Sequence, residues 1–281
     1  MRALILVASL AWMSVSVQAQ SAEDRTQDRV AFPAHKIIGN IHYVGTGTLN
    51  SYLITTPQGH ILINTNFEET VPLLRASIEK LGFTPTDIKI ILGSHAHGDH
   101  MQADAMVKEL SGGATVMAME QDVPALKAMK APSGKAHPID RVLKDGEQVT
   151  LGNTTLTAHL TPGHTRGCTT WTLRVQDGGR TLEALIACGG LQENARLVNN
   201  KNYPEIADDF ARSIKKFKML QPDVFLGAHS WFFDLGGKYK RLGGATNPYI
   251  DPAGYKAWVD NMEKNYNTTL AEQKKNPPAE N

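Results

Sequence analysis

SHAHGDH, residues Ser94 to His100, puts three of the chain's ten histidines and one aspartate within six residues. It follows an apolar run, DIKIILG (Asp87–Gly93), that reads as a short buried strand. It precedes MQADAMVKELSGG (Met101–Gly113), which has helical spacing and stops at Gly112-Gly113. Two residues apart in extended chain, His95 and His97 point the same way. As the chain turns into the helix, Asp99 and His100 can face the same pocket. Imidazoles and a carboxylate are the donors zinc takes when one position is left open for water. The stretch therefore predicts a metal site at a strand end, the place where binding residues usually gather.

Working outward, two more histidines close strands in the same way. His164 stands in TPGHT (Thr161–Thr165) after TTLTAHL, and His229 stands in GAH (Gly227–His229) after DVFLG. His35, His42, His60, His137 and His159 have no such setting and read as surface or satisfied core residues. Serine chemistry has little support. Ser77-Ile78-Glu79-Lys80 and Ser213-Ile214-Lys215-Lys216 match S-x-x-K, but both lie within helical spacing and have no S-D-N or K-T-G companion. There is no G-x-S-x-G elbow and no H-E-x-x-H helix.

The rest of the chain alternates strand runs with helices. Residues 37 to 66 read as strands, 69 to 82 as a helix, 114 to 119 as a strand and 122 to 129 as a short helix. Residues 131 to 141 are turn-rich, and four strand runs follow: EQVTLGN, TTLTAHL, CTTWTLRV and TLEALIAC. Residues 205 to 220 form a helix with Ile206, Phe210, Ile214 and Phe217 on one face. A last strand, DVFLGAH, and a helix from Tyr255 to Gln273 complete the pattern. Two halves thus repeat one plan of sequential strands, a helix, and a strand ending in histidine. This implies an α/β fold with helices outside two packed sheets of meandering strands. Trp171 reads as core, Trp231-Phe232-Phe233 as core or cleft wall, and Lys238-Tyr239-Lys240-Arg241 as a solvated face.

A formal net charge of +1 over 281 residues gives no reason to expect nucleic acid or a charged membrane surface as partner. The first residues differ from the rest. A basic start at Arg2, an apolar run from Ala3 to Val17 and the small-residue end Val17-Gln18-Ala19 read as a secretory signal peptide, residues 1–19. Residues 20–281 fit one large domain or two small ones and are expected to work outside the cytoplasm. The two cysteines, Cys168 and Cys188, lie in strand runs joined by the turn Asp177-Gly178-Gly179-Arg180. That turn sets them nearly opposite each other, either bridged or as two buried thiols.

HAHGDH, with TPGHT and the late His229, resembles the HxHxDH signature and later ligand positions of the metallo-β-lactamase superfamily, from about Ile38 to about His229. The resemblance implies an αββα sandwich, with residues 20–281 as a single catalytic domain expected to be a monomer, and two zinc ions. His95, His97 and His164 would hold the first, and Asp99, His100 and His229 the second. Glyoxalase II and lactonases carry a bridging aspartate after the TPGHT strand. Here that region is Ala187-Cys188-Gly189-Gly190, with no aspartate. The pattern is most similar to the subclass B3 metallo-β-lactamases. It implies hydrolysis of the β-lactam amide by a metal-bound hydroxide oriented by Asp99, in the periplasm, with antibiotic resistance as the outcome. A lactonase or other ester hydrolase on the same fold is the alternative, and a non-catalytic zinc-binding module the rival of a different class. Cys188 stands near the cysteine ligand of first-subclass enzymes, but Asp99, His100 and His229 complete the second site without sulfur.

Some positions depart from the family pattern. Asn64 replaces a usual aspartate, and Met101-Gln102-Ala103 replaces a glycine-rich turn. Gly189 and Leu191 stand where B3 enzymes often have serines, one of them near the substrate carboxylate. Gln192, Asn194 and Arg196 are candidate substitutes for that contact.

Overall fold

Short runs rich in Ile, Leu and Val, such as HILI and IKIIL, form strands buried on both faces. The computed structural model describes residues 26–192 and 194–280; the signal peptide expected at residues 1–19 lies outside them. The first sheet has seven strands in chain order: β1 (His35–Ile38), β2 (Ile41–Tyr43), β3 (Tyr52–Thr56), β4 (Gly59–Ile63), β5 (Ile88–Leu92), β6 (Thr115–Met119) and β7 (Arg141–Leu143). The second has five, in the order β12-β11-β10-β9-β8: β8 (Gln148–Leu151), β9 (Thr154–Leu160), β10 (Thr169–Asp177), β11 (Arg180–Ala187) and β12 (Val224–Gly227). The helices are α1 (Val71–Lys80), α2 (Gly98–Met101), α3 (Asp104–Leu110), α4 (Val123–Ala128), α5 (Ile206–Met219), α6 (Leu235–Lys240) and α7 (Pro252–Lys275). Among the described residues, no helix is long and apolar enough to cross a membrane.

The expected meander holds for only part of the first sheet. β1 to β4 pair antiparallel, but β4, β5, β6 and β7 run parallel, as do β11 and β12. Parallel neighbours need a crossover; α1, the α2–α3 segment and α4 supply those of the first sheet in turn, and α5 supplies the one between β11 and β12. β7 was hidden in the turn-rich stretch because it has three residues, two of them exposed.

Pleating sorts the side chains. Tyr43, Tyr52, Ile54, Ile61 and Ile63 face inward from the first sheet to meet Leu156, Ala158, Trp171, Leu173 and Val175 of the second. On the opposite face, Leu53, Leu62, Ile91 and Val116 pack against Leu74 and Ile78 of α1 and Val107 of α3. Beyond the second sheet, Phe217 of α5 and Trp258 of α7 meet edge to face, ring centroids 5.1 Å apart, over Phe225. The layers are helix, sheet, sheet, helix, as the resemblance implied.

One surface expectation was wrong. Lys238 is only 2% exposed. Its Nζ lies 2.8 Å from Asp251 Oδ2 and within 6.0 Å of the Phe225, Phe233 and Tyr249 ring centroids. The short helix α6 turns this one lysine of the basic run inward, and a carboxylate partner makes the burial tolerable. The C-terminal helix also starts earlier than expected, at Pro252, because the Asp251 carboxylate accepts from Gly254 N at 2.8 Å and caps it.

Candidate metal centre

The strands β5, β9, β11 and β12 all end on one edge of the two sheets, and each loop there delivers a piece of the site. After β5, the chain passes through Ser94 and His95 and enters the single turn of α2, which carries Asp99 and His100. This loop is fastened on several sides. Asn64 Oδ1 accepts from Ser94 N at 2.8 Å, and Ser94 O accepts from Thr169 N at 2.7 Å. The His100 carbonyl accepts from Thr65 N and Asn66 N. Asn64 and Asn66 both adopt positive φ, 64° and 60°, a conformation asparagine tolerates better than most residues. The departure at Asn64 therefore preserves the support of the loop.

The structure brings together all six candidates. The His95, His97 and His164 donor atoms lie within 4.8 Å of one another, as do those of His95, Asp99 and His100. His229 joins from β12, its Nε2 3.1 Å from His100 Nε2 and 3.8 Å from Asp99 Oδ2. His100 Nε2 is 3.2 Å from the same carboxylate oxygen. Ring centroids of His95 stand 4.2 Å from His100 and 4.4 Å from His164, so His95 sits between the two halves.

The outward nitrogens are held unequally. Ser94 Oγ is 3.0 Å from His95 Nδ1, and Gly190 O is 3.2 Å from His164 Nδ1, so His164 directs its other nitrogen into the cluster. Asn64 Nδ2 approaches His100 Nδ1 at a long 3.4 Å. His229 Nδ1 is buried and makes no hydrogen bond of ordinary geometry. Its ring instead lies against the half-buried Trp231 indole, centroids 4.1 Å apart and planes 19° from parallel.

Charge and burial set the protonation. Burial, reinforced by the neighbouring imidazoles, holds His95 and His229 well below the usual histidine range and brings His164 down to about 3. Burial also lowers His97. For Asp99 burial opposes ionisation, but His100, His229 and His97 outweigh it and hold the carboxyl below its ordinary range. At neutral pH His95, His97, His164 and His229 are therefore neutral imidazoles and Asp99 is an ionised carboxylate, the protonation states metal ligands need. His95 Nε2 is buried without a hydrogen-bond partner. That orphan, and two imidazole nitrogens pointing at each other beside a carboxylate, fit a cation between them.

Sequence reasoning missed Asp122, which is 3% exposed. Its carboxylate accepts from Ala96 N at 2.8 Å, Gly167 N at 2.7 Å and Thr165 Oγ1 at 2.9 Å, and so ties the SHAHGDH loop to the TPGHT loop. It sits just before α4, where an aspartate looks like an ordinary helix start, so no signal marked it. Of the histidines set aside, none joins the cluster. His35 meets Tyr249, His159 meets Thr172, and His137 Nε2 lies 3.0 Å from Asp104. Ser213 Oγ donates to the Pro162 carbonyl at 2.6 Å, which fits its reading as a structural residue.

Comparison with known proteins bears on what this cluster is. A sequence profile described as the Metallo-beta-lactamase superfamily matches residues 44–177. The native FEZ-1 metallo-β-lactamase of Legionella gormanii is 43% identical, with a TM-score of 0.83 over 88% of this chain and 98% of that one. The chain belongs to the metallo-β-lactamase superfamily. The class B3 di-zinc metallo-β-lactamase LRA-12, from an Alaskan soil metagenome, is 30% identical with a TM-score of 0.77, covering 90% of this chain and all, 100%, of that one. A hydroxyacylglutathione hydrolase of Chelativorans sp. is 34% identical over 119 residues, 42% of this chain. The match spans only 41% of the length of that curated relative.

As a metallo-β-lactamase superfamily member, the chain has features of its own at the β11 end. Cys168 and Cys188 form a disulfide, Cα–Cα 5.7 Å, which settles the open cysteine question and removes Cys188 as a thiolate ligand. Cys188 Sγ stands 3.6 Å from His95 Nδ1. Gly189 is required by close approach: a Cβ there would lie 2.8 Å from His164 Cγ, so the serine usual in B3 enzymes would press on the imidazole. Leu191 packs against the hydrophobic core. Arg196 donates to the Ala279 carbonyl, which engages it with the C-terminal tail, while Gln192 and Asn194 are exposed.

Proposed function

We propose that this chain is a zinc-dependent hydrolase of the β-lactam amide bond that confers resistance to β-lactam antibiotics. The observation that carries the reading is the convergence of six donors from three strand ends into two adjoining sets on one edge of the fold. His95, His97 and His164 would hold one zinc, and Asp99, His100 and His229 the other. Bound there, zinc supplies a lowered pKa for water and polarisation of the lactam carbonyl. Asp99, ionised beside His100, would accept a hydrogen bond from the attacking water and so orient it, take up the proton that water loses, and return that proton to the lactam nitrogen as the C–N bond breaks. Trp231 covers one face of His229 and limits its access to bulk solvent.

Ester hydrolysis on the same fold is the second reading, prompted by the partial match to hydroxyacylglutathione hydrolases. The stretch Ala187–Gly190 has no carboxylate and carries a disulfide cysteine, which favours the lactamase reading. Residues 1–19 are proposed as a signal peptide, which would place the enzyme in the periplasm, acting as a monomer on small molecules. The test is imipenem hydrolysis, with and without a chelator, beside an acyl-homoserine lactone, together with a zinc count. Chelator-sensitive imipenem turnover with two zinc ions per chain is the expected result. Lactone turnover without imipenem turnover sinks the proposal.

A further inference from the structure

His229 is held differently from His95 and His164. A metal-ligating histidine usually donates its second N–H to a carboxylate, a carbonyl or water, which fixes the ring. His164 has the Gly190 carbonyl for this, and His95 has Ser94 Oγ. His229 Nδ1 has no hydrogen bond of ordinary geometry, and the Thr48 carbonyl beside it already accepts from Ser230 N at 3.1 Å. Its backbone is fixed by the bridge to Leu49. Its polar contacts are the approach of Nε2 to His100 Nε2 at 3.1 Å and a contact of poor geometry between Nδ1 and the shared Thr48 carbonyl, so hydrogen bonds hold the ring torsion only weakly.

What fixes it is aromatic. The Trp231 indole covers one face of the imidazole, 4.1 Å between centroids at 19°, and the Phe232 ring meets it nearly edge-on at 5.5 Å and 76°. A near-parallel pair at that distance resists ring rotation, because turning either ring drives an edge into a face. An imidazole that gives its lone pair to a cation becomes electron-poor, and an electron-rich indole face attracts it more strongly in that state.

Resting on the two-metal reading above, we infer that Trp231 is the positioning residue for His229. By stacking, it reinforces the weak Thr48 contact and sets how tightly the Asp99–His100–His229 half holds its cation. The other half, in which His95 and His164 have polar partners, does not depend on it.

Cobalt(II) titration of the metal-free full chain tests this, followed by visible absorption and by bound metal per chain. Trp231→Leu keeps apolar cover but removes the flat face; Trp231→Phe restores one. The Leu variant is expected to take up the first equivalent as wild type does and to bind the second about tenfold or more weakly. The Phe variant should recover most of that loss. A Leu variant whose second equivalent binds as tightly as in wild type overturns the inference, as does a Phe variant as weak as Leu. Wild-type protein that binds only one equivalent overturns the two-metal reading itself and this inference with it, a result distinct from the other two. Far-UV circular dichroism of the metal-free variants confirms that each is folded before titration.

Discussion

The two halves of the metal centre are built on different supports. His95, His97 and His164 come from loops tied together by Asp122, and two of the three rings have a polar partner on the outward nitrogen. Asp99, His100 and His229 share a long contact to Asn64 and an aromatic stack. Hydrogen bonds fix a ring in one orientation, whereas a stack permits sliding in its plane. The first half is therefore the rigid one. The second carries the only carboxylate of the set, the group proposed to handle the proton.

Breaking the second half has the largest expected effect. Asp99→Ala should lower turnover about a thousandfold, within the range for a positioned acid–base group, while the protein stays folded. Full activity in that variant refutes the role. The rigid half is attacked through Gly189→Val, which forces a Cβ to within 2.8 Å of the His164 ring unless the chain shifts. Metal affinity of the first set should fall about 10–100-fold, measured by competition with a chromophoric chelator. An unchanged affinity means that His164 is less constrained than its contacts suggest.

Acid sharpens the comparison in the metal-free protein. His95, His97, His164 and His229 all have folded pKa values below the ordinary 6.5, His164 at about 3. The unfolded chain therefore binds more protons below pH 6.5. Stability from these groups is fully present above that pH and is lost as pH falls toward 3. Each buried imidazole adds a slope of up to about 1.4 kcal/mol per pH unit in that window. Asp99, also lowered, adds loss in the same direction below the ordinary carboxylate range. Urea midpoints between pH 7 and 5 check this; a flat profile contradicts the burial of neutral rings.

Much of the site was readable because its donors are local in sequence or mark strand ends. SHAHGDH gives four of the six, and His164 and His229 each close a strand run. The fold's layers were readable from strand and helix periodicity. Residues that act through tertiary contact were not. Asp122 reaches two loops that are distant in sequence, at Ala96 and at Gly167. Lys238 looks like a surface lysine until α6 turns it toward Asp251. The parallel pairing of β4 to β7 depends on where α1, the α2–α3 segment and α4 cross, which no local pattern encodes. The left-handed turns at Asn64 and Asn66 are allowed by asparagine but not announced by it.

The centre lies on the seam between the sheets. His95 and Asp99 hang from the seven-stranded layer, His164 and His229 from the five-stranded one. A cation bound across that seam acts as a staple between chain segments more than a hundred residues apart, as from His95 to His229. Stapling removes freedom that only the unfolded polymer has, and it raises the resistance of the whole two-sheet sandwich to denaturation with the logarithm of the free cation supplied. Starving the protein of metal should then loosen the grip of one layer on the other well before either layer loses its own ladder of backbone pairs.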